Sequence, residues 1–311
     1  MNFTYINLKK GFTSGMQKGW SGFIWMLKII LPVSFLTSIF VYSGWLDRLD
    51  FFITPVMNLM SLPSVAALPL IAGMLTGIYG GIASMLLLPL TEDQMLLIAI
   101  FLLISHSLIN EAIVQGKSGI NPFTITVIRL TASVITVVVA ALFLESETTV
   151  DAVITNSSVA GHQLFTEMLK EWSIATFYIC LEIFVIIMFL MILLEIMKEL
   201  NLIDHIIRAM SPVLKIMGLD QRVGILWVTA AAFGVTYGGA VIVEEIKAQG
   251  DFTEEQLIKL HISTGINHAL IEDPLLFVFI GLNPFWLWVP RLVIAIVAVR
   301  AFDLWFRWFR S

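Results

Sequence analysis

A chain of 311 residues that is 58% hydrophobic and only 13% charged, with a mean hydropathy of +0.91, is too apolar for a soluble domain. The net charge of −5 offers no footing for nucleic acid, and the single cysteine, Cys180, excludes an internal disulfide or a cysteine-held cluster. The expected class is an all-α polytopic membrane protein that carries no cofactor and whose surroundings are lipid.

Residues 1–19 hold Lys9, Lys10 and Lys18 and read as a cytoplasmic segment. No small-residue cleavage site follows cleanly, so the apolar run at 20–43 reads as an uncleaved first span. A short amphipathic stretch comes next (46–60), then a Gly-interrupted apolar segment (63–89) and two more spans (93–115 and 122–144). Residues 20–144 thus form one membrane repeat. The stretch 145–171, with Glu145, Glu147 and Asp151, reads as an external acidic linker. The second repeat (172–311) gives the same pieces in the same order: a span at 173–197, an amphipathic stretch at 203–217, a Gly-interrupted segment at 222–247, and spans at 256–279 and 285–305.

The two repeats are alike in sequence. Residues 91–130 align with 253–292 without a gap. Thr91-Glu92-Asp93-Gln94 matches Thr253-Glu254-Glu255-Gln256, His106 matches His268, and Gly119 matches Gly281. Asn121-Pro122-Phe123 matches Asn283-Pro284-Phe285, and Arg129-Leu130 matches Arg291-Leu292. Tyr79-Gly80-Gly81 has its mate in Tyr237-Gly238-Gly239. These residues are mostly polar or turn-forming, so hydrophobic bias does not explain the match. Internal repetition in an apolar chain marks a pseudo-symmetric membrane protein, often a transporter.

Basic residues decide the orientation of the halves. If both Gly-interrupted segments are re-entrant hairpins, each half has three spans and the second half is inverted. Lys117, Lys198, Arg208, Lys215, Arg222, Lys247, Lys259, Arg307 and Arg310 then join the N-terminal lysines inside. If both segments cross, 198–222 falls outside and the acidic linker inside, against the rule that cytoplasmic loops are basic. The expected architecture is therefore an inverted repeat. Each half has three transmembrane helices, one re-entrant Gly-rich hairpin and a short amphipathic helix, with both termini inside. Trp20, Trp45, Trp172, Trp286, Trp305 and Trp308 fall near span ends, where an aromatic belt belongs.

The hairpin tips would hold Thr76, Gly77, Tyr79, Gly80 and Gly81 in one half and Thr236, Tyr237, Gly238 and Gly239 in the other. About twelve helical residues per arm climb ~18 Å and bring each tip near mid-membrane. Unwound backbone survives there only against protein or a watery cavity, and its free groups can bind a solute. Close glycine-mediated helix packing is the structural alternative. His106 and His268 should lie at similar depth. Asn110 and Glu272, one helical turn on, would share their faces, with Asn267 beside His268. Ionisable groups at that depth are functional by default, although two neutral histidines bridging helices would also fit. No dense metal-ligand spacing is visible, so no metal centre is assigned; the donors nearest to one are His106, His268 and Glu272. Glu111 with Arg129, and Asp273 with Arg291, read as repeated ion pairs that either lock a helical hairpin in register or act as a gate. No nucleophile–base pair is readable, so an enzyme is not expected.

Taken together, Gly77-Ile78-Tyr79-Gly80-Gly81, His106-Ser107-Leu108-Ile109-Asn110-Glu111, Thr236-Tyr237-Gly238-Gly239 and Asn267-His268-Ala269-Leu270-Ile271-Glu272-Asp273 resemble the nucleoside-recognition, or Gate, domain family of prokaryotic integral membrane proteins. The likeness covers residues 20–300. Related elements occur in concentrative nucleoside transporters, B-type ferrous-iron permeases and spore-maturation proteins. The chain lacks the cysteine-bearing tip of the iron permeases and the Glu-Ala-Pro tip of the nucleoside transporters, so the resemblance implies the fold more than the substrate.

The expected function is secondary transport in a prokaryotic cytoplasmic (inner) membrane, with a mid-membrane site for a nucleoside-like or other anionic or polar small solute. A divalent-metal permease and a non-transporting scaffold are the alternatives. The thin bundle is compatible with a homodimer. Single cysteines introduced at 91–93 in a Cys180→Ser background should label from outside, and those at 250–253 from inside. Cytoplasmic labelling at Glu92 would overturn the first re-entrant hairpin.

Overall fold

The computed structural model describes residues 2–144, 164–200, 202, 205, 211–219, 223, 224, 226–228, 230, 231, 242 and 252–310. Secondary structure among them is helical throughout. In chain order the helices are α1 (Asn2–Tyr42), α2 (Trp45–Leu59), α3 (Ala67–Thr76), α4 (Ile78–Met85), α5 (Glu92–Ser105), α6 (Leu108–Gly116), α7 (Pro122–Ala141), α8 (Phe165–Glu199), α9 (Ser211–Met217), α10 (Glu254–Ile266), α11 (Glu272–Phe279) and α12 (Pro284–Arg310). Among the described residues, five stretches are long and apolar enough to cross a membrane: Asn7–Tyr42, Glu92–Gly116, Pro122–Ala141, Phe165–Glu199 and Pro284–Trp308. A pair bent by 87°, Phe51–Leu59 with Ser64–Thr76, raises the count to 6 if it is one span. The second Gly-interrupted segment lies largely outside the described residues, as do linker residues 145–163.

Local chemistry sets the helix starts. Thr91 Oγ1 accepts from Gln94 N–H at 3.3 Å, and Gln94 Oε1 accepts from Thr91 N–H at 3.0 Å. Thr253 and Gln256 repeat the exchange at 3.2 and 2.9 Å. Both pairs satisfy otherwise orphaned donors at a helix start. Asn121 and Asn283 cap the following helices: each side-chain oxygen accepts from the N–H two residues on, at 2.9 and 3.0 Å, with proline in the first turn.

α1 and α8 run antiparallel along most of their length. Gly11 faces Ile196, Gly15 faces Ile192 and Gly19 faces Met188; a Cβ on Gly15 would stand 2.5 Å from Ile192 Cα. Only a missing side chain permits that approach, the small-residue packing typical of membrane helices. Farther along, Trp172 Nε1 donates to Ser34 Oγ at 3.2 Å.

The chain reverses at Gly77, whose φ of +100° is open to glycine but strained for other residues. α4 folds back along α3: a Cβ on Gly81 would lie 3.4 Å from both Gly73 Cα and Pro69 O. In one continuous helix Gly81 would stand ~12 Å from Gly73 and ~18 Å from Pro69 at 1.5 Å per residue. Cβ atoms on Gly73 and Gly81 would each meet Leu102 of α5 at 2.4 Å, so both glycines hold the hairpin against α5.

α5 packs on α7 and α10 packs on α12, and each of these four helices also touches the opposite pair. The exterior is apolar, with Phe51, Phe52, Phe123, Leu142 and Trp308 exposed, while Arg129, Arg291, His106 and His268 are buried. This distribution of apolar outside and charge inside suits a lipid solvent.

Candidate functional site

The site forms where two helices break. α5 stops at Ser105; His106 is extended (φ −70°, ψ 161°), Ser107 is left-handed (φ 48°), and α6 resumes at Leu108. In the second half α10 stops at Ile266, Ala269 is left-handed (φ 46°), and α11 starts at Glu272. Neither break contains a glycine or proline. Left-handed serine and alanine cost free energy and persist only where the surroundings impose them.

Two kinds of contact impose them. The first is backbone. Ser107 N–H donates to Gly73 O at 3.0 Å; Leu270 N–H donates to Ala231 O at 2.7 Å, from the matching part of the other half. The second is arginine. A helix end leaves its last carbonyls unpaired, and they cannot stay so in an apolar interior. Arg129 Nε donates to Ile104 O at 2.8 Å and its Nη2 to His106 O at 2.9 Å. Arg291 Nε donates to Ile266 O at 3.0 Å and its Nη2 to His268 O. Both guanidiniums are 1% exposed. The planar fork of donors matches two carbonyls at once, and its charge complements the negative end of a helix dipole.

The breaks also aim the imidazoles. His106 Nδ1 lies 2.9 Å from Leu102 O, and His268 Nδ1 lies 2.9 Å from Thr264 O. A carbonyl only accepts, so each Nδ1 carries the proton, and each Nε2 of a neutral ring presents a bare lone pair. The ring centroids are 5.0 Å apart. His106 Nε2 lies 3.2 Å from Glu111 Oε1 and 3.5 Å from Asp273 Oδ2. His268 Nε2 lies 3.2 Å from Glu111 Oε1 but makes no hydrogen bond. Glu111 is the hub, since its Oε2 also pairs with Arg129 Nη1 at 2.8 Å. Glu111 reaches the histidine of the other half, and Asp273 does the same in return.

Several residues stand differently from what sequence spacing suggests. The break cancels the helical register that would set Asn110 beside His106: Asn110 is exposed, and Glu111, one residue later, makes the contact. Glu272 does not reach His268; its Oε1 accepts from Tyr79 Oη at 3.1 Å, tying the first hairpin to the start of α11. Asp273 pairs with His106, and among the described residues Arg291 Nη1 and Asp273 Oδ2 each lack a hydrogen-bond partner. Asn267 is fully buried, and among the described residues both its amide atoms are unpartnered. Thr76 Oγ1 donates to Ala72 O at 2.7 Å and covers Gly80, where an added Cβ would stand 1.9 Å from it. Gly77 lies against Ser107, its added Cβ 2.8 Å from that hydroxyl, and Gly81 packs on Leu102. Thr236, Tyr237, Gly238 and Gly239 lie outside the described residues. Glu182, which the sequence places deep in a span, is exposed on α8. Sequence reasoning missed the breaks and the part Ser107 and Ala269 play in them. Two signals were available: the arginine repeated at matching positions, and Pro274, which lies inside the apolar run 256–279 and falls in the first turn of α11.

Comparison with known proteins bears on this arrangement. Residues 23–144 and 180–282 match the Gate family, described as nucleoside recognition. The chain is 28% identical over 303 residues to the uncharacterized membrane protein YvoD of Bacillus subtilis, covering 97% of each. No solved structure matches.

If the arginines act as carbonyl clamps, Arg129→Lys and Arg291→Lys should each destabilise the protein by about 2–4 kcal/mol, because a lysine cannot serve two carbonyls in fixed geometry. Denaturant unfolding in detergent measures this. A silent Arg291→Lys would contradict the clamp, since among the described residues Arg291 has no carboxylate within ion-pair distance to explain a loss by other means.

Proposed function

The chain belongs to the Gate, nucleoside-recognition family of membrane proteins, and on that premise we propose that it is a secondary transporter whose solute binds between the two helix breaks. The carrying observation is that His106, Glu111, His268 and Asp273, two from each half, meet at one buried point. Ionisable groups are costly in a membrane and mark solute or ion paths. Broken helices offer half-helix ends and free backbone groups to a solute, as transporters with repeated halves do.

An inverted repeat is supported by the antiparallel course of α1 and α8, the first spans of the two halves. The reversal at Gly77 supports a re-entrant first hairpin. Movement of one half against the other would part Glu111 from His268 and Tyr79 from Glu272, opening the point to either side in turn. On this reading the protein lies in a prokaryotic cytoplasmic membrane with both termini inside and acts as a transporter rather than an enzyme, and a homodimer would thicken the bundle. Two carboxylates and two bare imidazole nitrogens favour a solute that donates hydrogen bonds or carries positive charge. They disfavour an anion, so of the solutes the sequence suggested, a polar nucleoside-like molecule or a cation fits better.

Proteoliposome uptake of a panel of nucleosides and divalent cations tests the reading. The expected result is flux of at least one solute, lowered tenfold or more by His106→Ala with His268→Ala, since a lost contact to a charged group is worth about 1.5–3 kcal/mol. Absence of flux for every solute would favour a scaffold role, and undiminished flux in the double variant would remove the site.

A further inference from the structure

We infer that the four groups at the breaks form a binding site for a divalent first-row transition-metal ion, held by His106 Nε2, His268 Nε2, Asp273 Oδ2 and Glu111 Oε1. As a statement about cargo it rests on the transport reading; as a statement about binding it rests on geometry alone.

Every donor atom here is an acceptor of hydrogen bonds. The Nδ1 contacts to Leu102 O and Thr264 O leave both Nε2 lone pairs directed at the carboxylates. His268 is 1% exposed and Asp273 is 7% exposed, and among the described residues His268 Nε2 and Asp273 Oδ2 have no hydrogen-bond partner. Acceptors gathered out of water repel one another unless something positive sits among them. One shared proton relieves one contact and leaves the others facing each other.

The spacing distinguishes a metal from a larger cation. Donor atoms of His106, His268 and Asp273 lie within 4.8 Å of one another. The closer edges are 3.2 Å, 3.2 Å and 3.5 Å. Four ligands placed tetrahedrally at 2.0–2.1 Å around a metal are separated by ~3.3–3.4 Å. Four acceptors around an ammonium nitrogen at hydrogen-bond distance, ~2.8 Å, would be about 4.6 Å apart. The three short edges fit the metal, while the others, within 4.8 Å among His106, His268 and Asp273, would tighten around the ion with Glu111 closing on the two imidazoles.

Donor chemistry narrows the ion. Two imidazoles with two carboxylates suit zinc, iron(II), manganese or cobalt; calcium and magnesium prefer oxygen throughout, and copper(I) prefers sulfur. The second ring nitrogens are fixed by backbone carbonyls, which is how metal-bound histidines are oriented. Arg129 and Arg291 stand close by and oppose the ion's charge. The site should therefore hold the metal less tightly than a closed structural centre, which suits a cargo that must leave.

Cobalt(II) titration of the purified full-length protein in nanodiscs tests the inference, read by visible d–d absorption and competition with zinc. The expected result is one saturable site per chain with the spectrum of tetrahedral nitrogen–oxygen ligation. His268→Ala and the isosteric Asp273→Asn should each weaken binding at least tenfold while the protein elutes as wild type. No saturable cobalt or zinc binding by the wild type would overturn the inference, as would unchanged binding in a folded Asp273→Asn. Manganese uptake by proteoliposomes separates the two readings. A metal that binds but does not cross contradicts transport and leaves the site standing. Flux of another solute without metal binding contradicts the site and leaves transport standing.

Discussion

Two buried arginines make the rest of this structure possible. An interrupted helix in an apolar interior exposes carbonyls that no water can reach, each costing on the order of 1–3 kcal/mol if left alone. Arg129 and Arg291 each cover two such carbonyls and so let α5 and α10 stop where they do. The remedy brings its own demand, because a buried guanidinium needs negative charge nearby. Glu111 meets it directly for Arg129. The carboxylates in turn lie against the two histidines that the breaks have swung inward. The polar centre is a chain of consequences that begins with two broken helices.

The contacts at that centre cross between halves. Glu111 reaches His268, Asp273 reaches His106, and Tyr79 on the first hairpin reaches Glu272. Packing at α1 and α8 is of a different kind, with glycines at the seam and backbones in near contact. The seam is close-packed backbone, whereas the polar centre is made of side-chain contacts. Its asymmetry is also informative. Arg129 has a carboxylate partner, whereas Arg291 Nη1 has none among the described residues, so within them the repeats agree in backbone and differ in charge pairing.

Much of the scaffold was legible in the sequence because it depends on short-range chemistry. The Thr–Gln boxes, the Asn–Pro starts and the reversal at Gly77 follow from single side chains acting on adjacent backbone. Long apolar runs gave away the spanning helices. The breaks were not read, because Ser107 and Ala269 carry no breaker signal and take their conformation from tertiary contacts; Pro274 marked only the restart after the second. With the breaks hidden, helical spacing pointed to Asn110 as the companion of His106, and the structure brings Glu111 there. Cross-half pairing was equally hidden, since a repeat shows that two segments are alike without showing that they touch. The arginines were recognised as repeated and charged, but their carbonyl partners exist only once the helices have ended.

The two halves meet most directly through Glu111 and His268. A double-mutant cycle of Glu111→Gln and His268→Ala, read as unfolding free energy in detergent, measures that meeting without assuming any solute. The structure predicts coupling of about 1 kcal/mol or more, the range seen for residues in direct contact. Additivity within ~0.3–0.5 kcal/mol, as for residues that do not touch, would contradict it.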